Sequence, residues 1–180
     1  MSLIYGPAED SYLMQGTLKK QIKSKDKSLE FLEIGCGSGI LIKTLLDLKI
    51  NPQNITATDI NLEVIKYINN RFPKVKIIAS NLFSKLNGKF DIIIFNPPYL
   101  PDDKFNKEDK ESKLVTTGGK SGSEIINQFL HQSKNYLNKC GKIFLLTSSL
   151  TKEINWLNYK KKIVAKKKLF FEELFVWELG

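Results

Sequence analysis

The chain has 180 residues, 42% of them hydrophobic and 26% charged, with two cysteines and a formal net charge of +9. That balance suits one globular domain over residues 1–180 with a proper core, and no apolar run approaches the length of a membrane span. Two cysteines are too few to staple a domain, and the start Met1-Ser2-Leu3-Ile4-Tyr5-Gly6-Pro7 lacks the basic-then-apolar pattern of a secretory signal, so reduced thiols in a cytoplasmic setting are expected.

Residues 8–23 read as a leading helical segment. Leu29-Glu30-Phe31-Leu32-Glu33-Ile34 then reads as a short buried strand. It runs into Gly35-Cys36-Gly37-Ser38-Gly39 and on into the helical pattern Ile40, Leu41, Thr44, Leu45, Leu48. A glycine-rich turn between strand and helix lets a ligand approach the backbone, facing N–H groups and a helix N-terminus. The spacing G-x-G-x-G differs from the G-x-G-x-x-G dinucleotide fingerprint. Asn54-Ile55-Thr56-Ala57-Thr58 reads as a second strand ending in Asp59, about twenty residues past the glycines, where a ribose-binding carboxylate belongs in such folds. Asp59 could equally cap the helix that starts near Asn61, or do both.

A third strand is expected near 74–79, followed by Asn81 and Leu82, and a fourth over Phe90-Asp91-Ile92-Ile93-Ile94-Phe95. The fourth ends in Asn96-Pro97-Pro98-Tyr99. Asn96 and Pro97 both precede proline and are pushed towards extended backbone; the two prolines fix φ and remove two N–H donors. The Asn96 side chain adds an oxygen acceptor, so the tetrapeptide forms a stiff bracket suited to an NH₂ group, with the Tyr99 ring beside a flat substrate. The stretch from Leu100 to Gly122 is polar, mixed in charge and contains Gly118-Gly119. It reads as a flap with hinge-like glycines, or as a disordered connection without function.

A helix near 122–138, a strand near 141–147 and a helix near 152–163 follow. The runs Lys167–Phe171 and Leu174–Leu179, joined by Glu172-Glu173, leave no room for a crossover helix and should pair antiparallel or form one bent strand. Helices between the strands predict an α/β fold with a mostly parallel sheet covered on both faces. Gly35, Asp59, Asn81 and Asn96 follow the first four strands, so they should share one sheet edge, where open α/β sheets bind ligands. No cluster of Cys, His, Asp and Glu has metal-ligand spacing, so no metal is expected. Lys160-Lys161-Lys162 and Lys166-Lys167-Lys168 could attract RNA, or a partner bound to RNA. Without interleaved aromatics they read better as solvated lysines flanking a strand.

Taken together, these motifs resemble the class I, S-adenosylmethionine-dependent methyltransferases. Within them the chain resembles the HemK-type protein-glutamine N5-methyltransferases of translation release factors, in their archaeal and eukaryotic branch. The carriers are Tyr5-Gly6-Pro7-Ala8-Glu9-Asp10-Ser11, Glu33–Gly39, Thr58-Asp59-Ile60-Asn61, Asn96–Tyr99, Gly118-Gly119 and Phe170-Phe171-Glu172-Glu173-Leu174. The resemblance implies a Rossmann-like, seven-stranded sheet with one antiparallel C-terminal strand. It implies that Ser11, Glu33, Gly35, Gly37, Gly39, Asp59, Asn81 and Leu82 bind S-adenosylmethionine: Ser11 from the N-terminal segment, Glu33 and the glycines around the amino-acid part, Asp59 on the ribose, Asn81 and Leu82 about the adenine. Asn96, Pro97, Pro98 and Tyr99 would hold the substrate amide, with Asn96, Pro97 and Tyr99 as the catalytic set. The family often carries aspartate where this chain has Asn81; a neutral amide still accepts from an adenine amino group. The resemblance further implies a release factor as substrate, absence of the N-terminal helical domain of the bacterial members, and a small zinc-binding activator subunit. If strand order follows the family, Val75–Ala79 lies at a sheet edge that a partner strand, or the monomer itself, could cover. The competing readings are adenine-N6 methylation of DNA or RNA, with direct nucleic-acid binding, lysine methylation of another protein, and a cofactor-binding scaffold without catalysis.

Overall fold

A computed structural model describes residues 6–102 and 116–180. Seven strands form one sheet: β1 Phe31–Ile34, β2 Ile55–Asp59, β3 Lys76–Ala79, β4 Phe90–Phe95, β5 Leu137–Ser148, β6 Lys161–Lys168 and β7 Glu173–Leu179. Their spatial order is β3-β2-β1-β4-β5-β7-β6. β1 pairs parallel with β2 and β4, β2 with β3, and β4 with β5; β7 alone runs antiparallel, against both β5 and β6. The order reverses between β1 and β4, which creates a crevice at the strand carboxyl ends.

Strand residues alternate between two cores. Phe31, Ile92, Ile94, Phe144 and Leu146 join one cluster; Leu32, Ile34, Ile93, Phe95, Ile143 and Leu145 join the other. Parallel strands buried on both faces have this near-continuous apolar character. Three helices cover the first face: α1 Glu9–Gln21, α2 Ile40–Asp47 and α3 Leu62–Arg71, through residues such as Met14, Leu18, Ile42, Leu45, Val64 and Ile68. The second face carries α4 Glu124–Ser133, which inserts Ile126, Phe129 and Leu130.

Two expectations are corrected. The helix expected near 122–138 ends at Ser133, gives one 3₁₀ turn, and passes directly into β5 at Leu137. The helix expected near 152–163 does not form: residues 149–160 are irregular and β6 begins at Lys161. Asn155 Oδ1 accepts from the Leu157 N–H at 3.1 Å, an Asx turn that competes with helix, and Glu153 and Leu157 both have positive φ. β-Branched Ile163 and Val164 then suit a strand, and β6 pairs with β7 as an antiparallel hairpin.

Candidate active site

A cavity of about 630 Å³ opens at the crevice, within the range of small-molecule sites. Its wall draws on every parallel strand end from β1 to β4: Gly35 and Gly37, Asp59 and Ile60, Asn81 and Leu82, and Asn96 through Tyr99. The start of α1 closes it with Asp10 and Ser11. Of the sequence-derived candidates, only Gly39 is absent from this wall.

Gly39 has a different task. It is the N-cap of α2 with φ 75°, and a Cβ there would stand 2.7 Å from Ile68 Cδ1 and from the Phe72 ring. Only glycine both adopts that backbone and lets α3 pack this closely. Asp59 sits one step away: its Oδ2 accepts from the Gly37 N–H at 3.0 Å and its Oδ1 from the Asn61 N–H at 2.9 Å. It thereby braces the glycine turn against the second strand end. The cap of α3 is Asn61, whose Oδ1 accepts from the Glu63 N–H at 2.9 Å, so the capping alternative for Asp59 falls away.

Glu33 is the electrostatic centre of this corner. It is buried, lines the cavity, and its Oε2 has no partner among the described residues. Burial and then the Asp59 carboxylate push its pKa well above the usual range, opposed by a backbone hydrogen bond at Ile42. A bound cation would relieve that strain. Cys36, also buried here, is held as the thiol by burial and by the Glu33 and Asp59 charges, so it is a poor nucleophile.

At the end of β4, which pairs with β1, Asn96 Nδ2 donates to Asp10 Oδ2 at 3.1 Å. Asp10 is buried and also accepts, on Oδ1, from the Ser11 N–H at 2.6 Å. A carboxylate only accepts, so it fixes which end of the Asn96 amide faces it. The Asn96 Oδ1 is therefore turned away, buried, and without a partner among the described residues. A buried acceptor without a partner is a costly arrangement, and Asn96 belongs to the cavity wall.

The bracket is held from behind. Thr151 Oγ1 donates to the Tyr99 carbonyl at 2.9 Å. Leu100 N–H donates to the Thr116 carbonyl at 3.0 Å, and Gly118 N–H to the Leu100 carbonyl at 2.9 Å. A Cβ at Gly118 would lie 2.6 Å from the Pro98 carbonyl oxygen, and one at Gly122 would lie 2.4 Å from that of Tyr99. Gly118 thus serves close backbone packing against the tetrapeptide, not a hinge. The rest of the expected flap, residues 103–115, lies outside the described residues, as does Tyr5.

Sequence reasoning had missed Asp10, which acts through α1 crossing the site, and Ile60, which follows Asp59 into the cavity wall. It also missed Gln128, which reaches the wall from α4. Asp10 and Ile60 had local signals, the one directly before Ser11 in the opening motif and the other directly after the strand-end acid; Gln128 had none. Among the described residues no group of His, Cys, Asp and Glu could hold a metal ion, and no helix is long and apolar enough to cross a membrane.

A family model, the methyltransferase small domain, matches residues 11–169. A "putative protein N5-glutamine methyltransferase" of Methanocaldococcus jannaschii is 39% identical over 189 residues, covering 98% of this chain and 92% of that one. The catalytic subunit mtq2 of the eRF1 methyltransferase of Schizosaccharomyces pombe is 30% identical, over 83% of this chain and 74% of that one. Among solved structures, the E. cuniculi Mtq2–Trm112 complex, responsible for methylating the eRF1 translation termination factor, matches with a TM-score of 0.73 at 22% identity, covering 99% of both chains.

Proposed function

We infer, from the premise that this chain belongs to the methyltransferase small-domain family and to its HemK-type protein-glutamine branch, that it methylates the side-chain amide nitrogen N5 of a glutamine in a translation release factor. The carrying observation is Asn96 in the wall of the cavity that also takes in Glu33 and Asp59, its amide NH₂ held by Asp10 and its Oδ1 buried without a partner among the described residues. S-adenosylmethionine supplies an electrophilic methyl group on a sulfonium.

The residues present fit that cofactor. Glu33, with an orphaned carboxylate oxygen and a raised pKa, suits its ammonium. Asp59 would hold the ribose hydroxyls, Gly35 and Gly37 would bring backbone to the amino-acid part, and Ser11 would close that end. Asn81, Leu82 and Ile60 would flank the adenine. At the neighbouring strand end, Asn96 Oδ1 and the Pro97 carbonyl would accept the two N–H groups of the substrate amide, while Pro98 and Tyr99 would flank its plane. Those two acceptors push electron density towards the nitrogen and aim its lone pair. Alignment of this kind can supply roughly 7–11 kcal/mol, and preset acceptors stabilise charge growing on nitrogen. No base is needed before attack.

A small zinc-binding subunit is the partner of this reading, seated on β3. That strand is an edge with Ile77 and Ile78 only half-buried, and the adjacent Ile60 and Leu62 are 71% and 69% exposed. Apolar edges of this kind are covered in working proteins. The whole chain then serves as one catalytic domain, in the cytoplasm. Incubating it, with and without the partner, with labelled cofactor and either release factor or oligonucleotide tests the reading. A methyl group on glutamine N5 is expected; a mark on adenine or on lysine contradicts it. Asn96→Ala should abolish turnover while calorimetry shows cofactor affinity unchanged.

A further inference from the structure

Phe170 and Phe171 form the tip of the β6–β7 hairpin and are 92% and 84% exposed. Hairpin tips are ordinarily polar, and two bare adjacent aromatics form an apolar patch of the kind that marks contact sites. The turn itself is well built: Leu169 N–H donates to the Glu172 carbonyl at 2.8 Å. The two rings meet edge to face at 4.7 Å.

Topology puts this tip at the reaction edge. β7 runs antiparallel, so its first residues lie beside the end of β5, with Leu174 opposite Ser148. The Ser148 hydroxyl donates to the Glu172 carboxylate, and Ser149 N–H donates to the Glu173 carbonyl at 2.8 Å. Thr151, in the same turn, holds the Tyr99 carbonyl. One short hydrogen-bonded segment therefore joins the aromatic tip to the substrate bracket. Strand spacing sets the tip roughly 10–15 Å to the side of β4.

We propose that the Phe170–Phe171 tip is a docking anchor for the protein substrate, inserting into an apolar pocket near the modified glutamine. This rests on the protein-substrate reading above. Two aromatic side chains bury about 150–250 Å² each, well short of the ~800 Å² per partner of a standard interface. The tip thus suits a partner already held elsewhere on this rim, and the cleft holds the substrate. Charge separates protein from nucleic acid. Lys166 pairs with Glu173 at 3.6 Å and Lys167 with Glu9, while Glu172 lies at the turn, so the local field is balanced and does not favour phosphates. An edge-to-face pair is also a wedge, not a flat stacking platform.

The test uses Phe170→Ser/Phe171→Ser in the full chain with its partner subunit, titrated with full-length release factor. The dissociation constant and KM for that protein should rise about 30-fold, the loss ordinary for an aromatic anchor. Turnover of a short glutamine peptide and cofactor affinity should not move. A Phe170→Leu/Phe171→Leu variant with the wild-type melting temperature should retain most of the affinity, which separates docking from folding. Equal release-factor binding by wild type and the serine variant, or none by either, overturns the proposal. So does a loss confined to oligonucleotide binding, vesicle binding or self-association. Tip-dependent binding without methylation sinks the proposed reaction and leaves the anchor standing; methylation untouched by the variant does the reverse.

Discussion

Asp10 and Asn96 are 86 positions apart in sequence and meet through one 3.1 Å hydrogen bond. Asp10 is a positioning residue: it decides which end of the Asn96 amide turns towards it and which turns away. Asp10→Asn can offer either end of its own amide, so the orientation is no longer dictated. We expect kcat to fall about 10²-fold, the scale of a misplaced catalytic group, with cofactor affinity changed little, read from single-turnover kinetics beside calorimetry. Glu33 carries the opposite trade. Its folded pKa lies above the unfolded 4.5, so between those values the folded state binds more protons, and stability falls as pH rises through that window. Glu33→Gln removes that slope: the ligand-free protein should melt a few degrees higher at neutral pH. The same change should weaken the cofactor about 10–100-fold, the worth of a charge-assisted contact. In the wild type, cofactor affinity should rise with pH through the raised Glu33 pKa. A pH-independent affinity would remove Glu33 from the binding set.

At the scale of elements, the site depends on turns whose backbones nearly touch. A Cβ at Gly118 would sit 2.4 Å from the Gly122 carbonyl and 2.6 Å from that of Pro98. Gly118→Ala must move backbone, so we expect a loss of about 2 kcal/mol or more in denaturant unfolding together with a sharp drop in turnover, since Pro98 moves with it. An alanine variant with wild-type turnover would separate this turn from the bracket. The hairpin at the other end shows how a lysine run serves a strand. β6 is an edge, and its lysines line it, which blocks edge-to-edge aggregation. The same run explains why a helix was expected near 152–163: lysine-rich stretches have helical propensity, but the Asx turn at Asn155 breaks the segment before pairing with β7 takes over. Gly39 was legible as a glycine the turn requires, yet its service to the packing of Ile68 and Phe72 depends on a helix thirty residues away.

For the whole molecule, strand–helix alternation and the four strand-end motifs were enough to place the crevice, because each parallel strand delivers its following residue to the same edge. What sequence could not carry were contacts made by tertiary folding alone: Asp10 reaching Asn96, Gln128 entering the wall from α4, and the rearward brace of Thr151 on Tyr99. The same sheet leaves β3 at one edge beside exposed Ile60 and Leu62. Leu62→Asp should abolish co-elution with the partner subunit while the ligand-free melting temperature stays within a degree or two, because a surface charge costs the monomer little. Retained co-elution would move the partner to another face. The most direct trial of the account is mass spectrometry of full-length release factor after incubation with the chain, its partner and methyl-labelled S-adenosylmethionine, run beside Asn96→Ala. One methyl group on a glutamine N5, absent with the variant, is the predicted result; an Asn96→Ala protein that still methylates glutamine, or a wild type that marks only adenine or lysine, contradicts it.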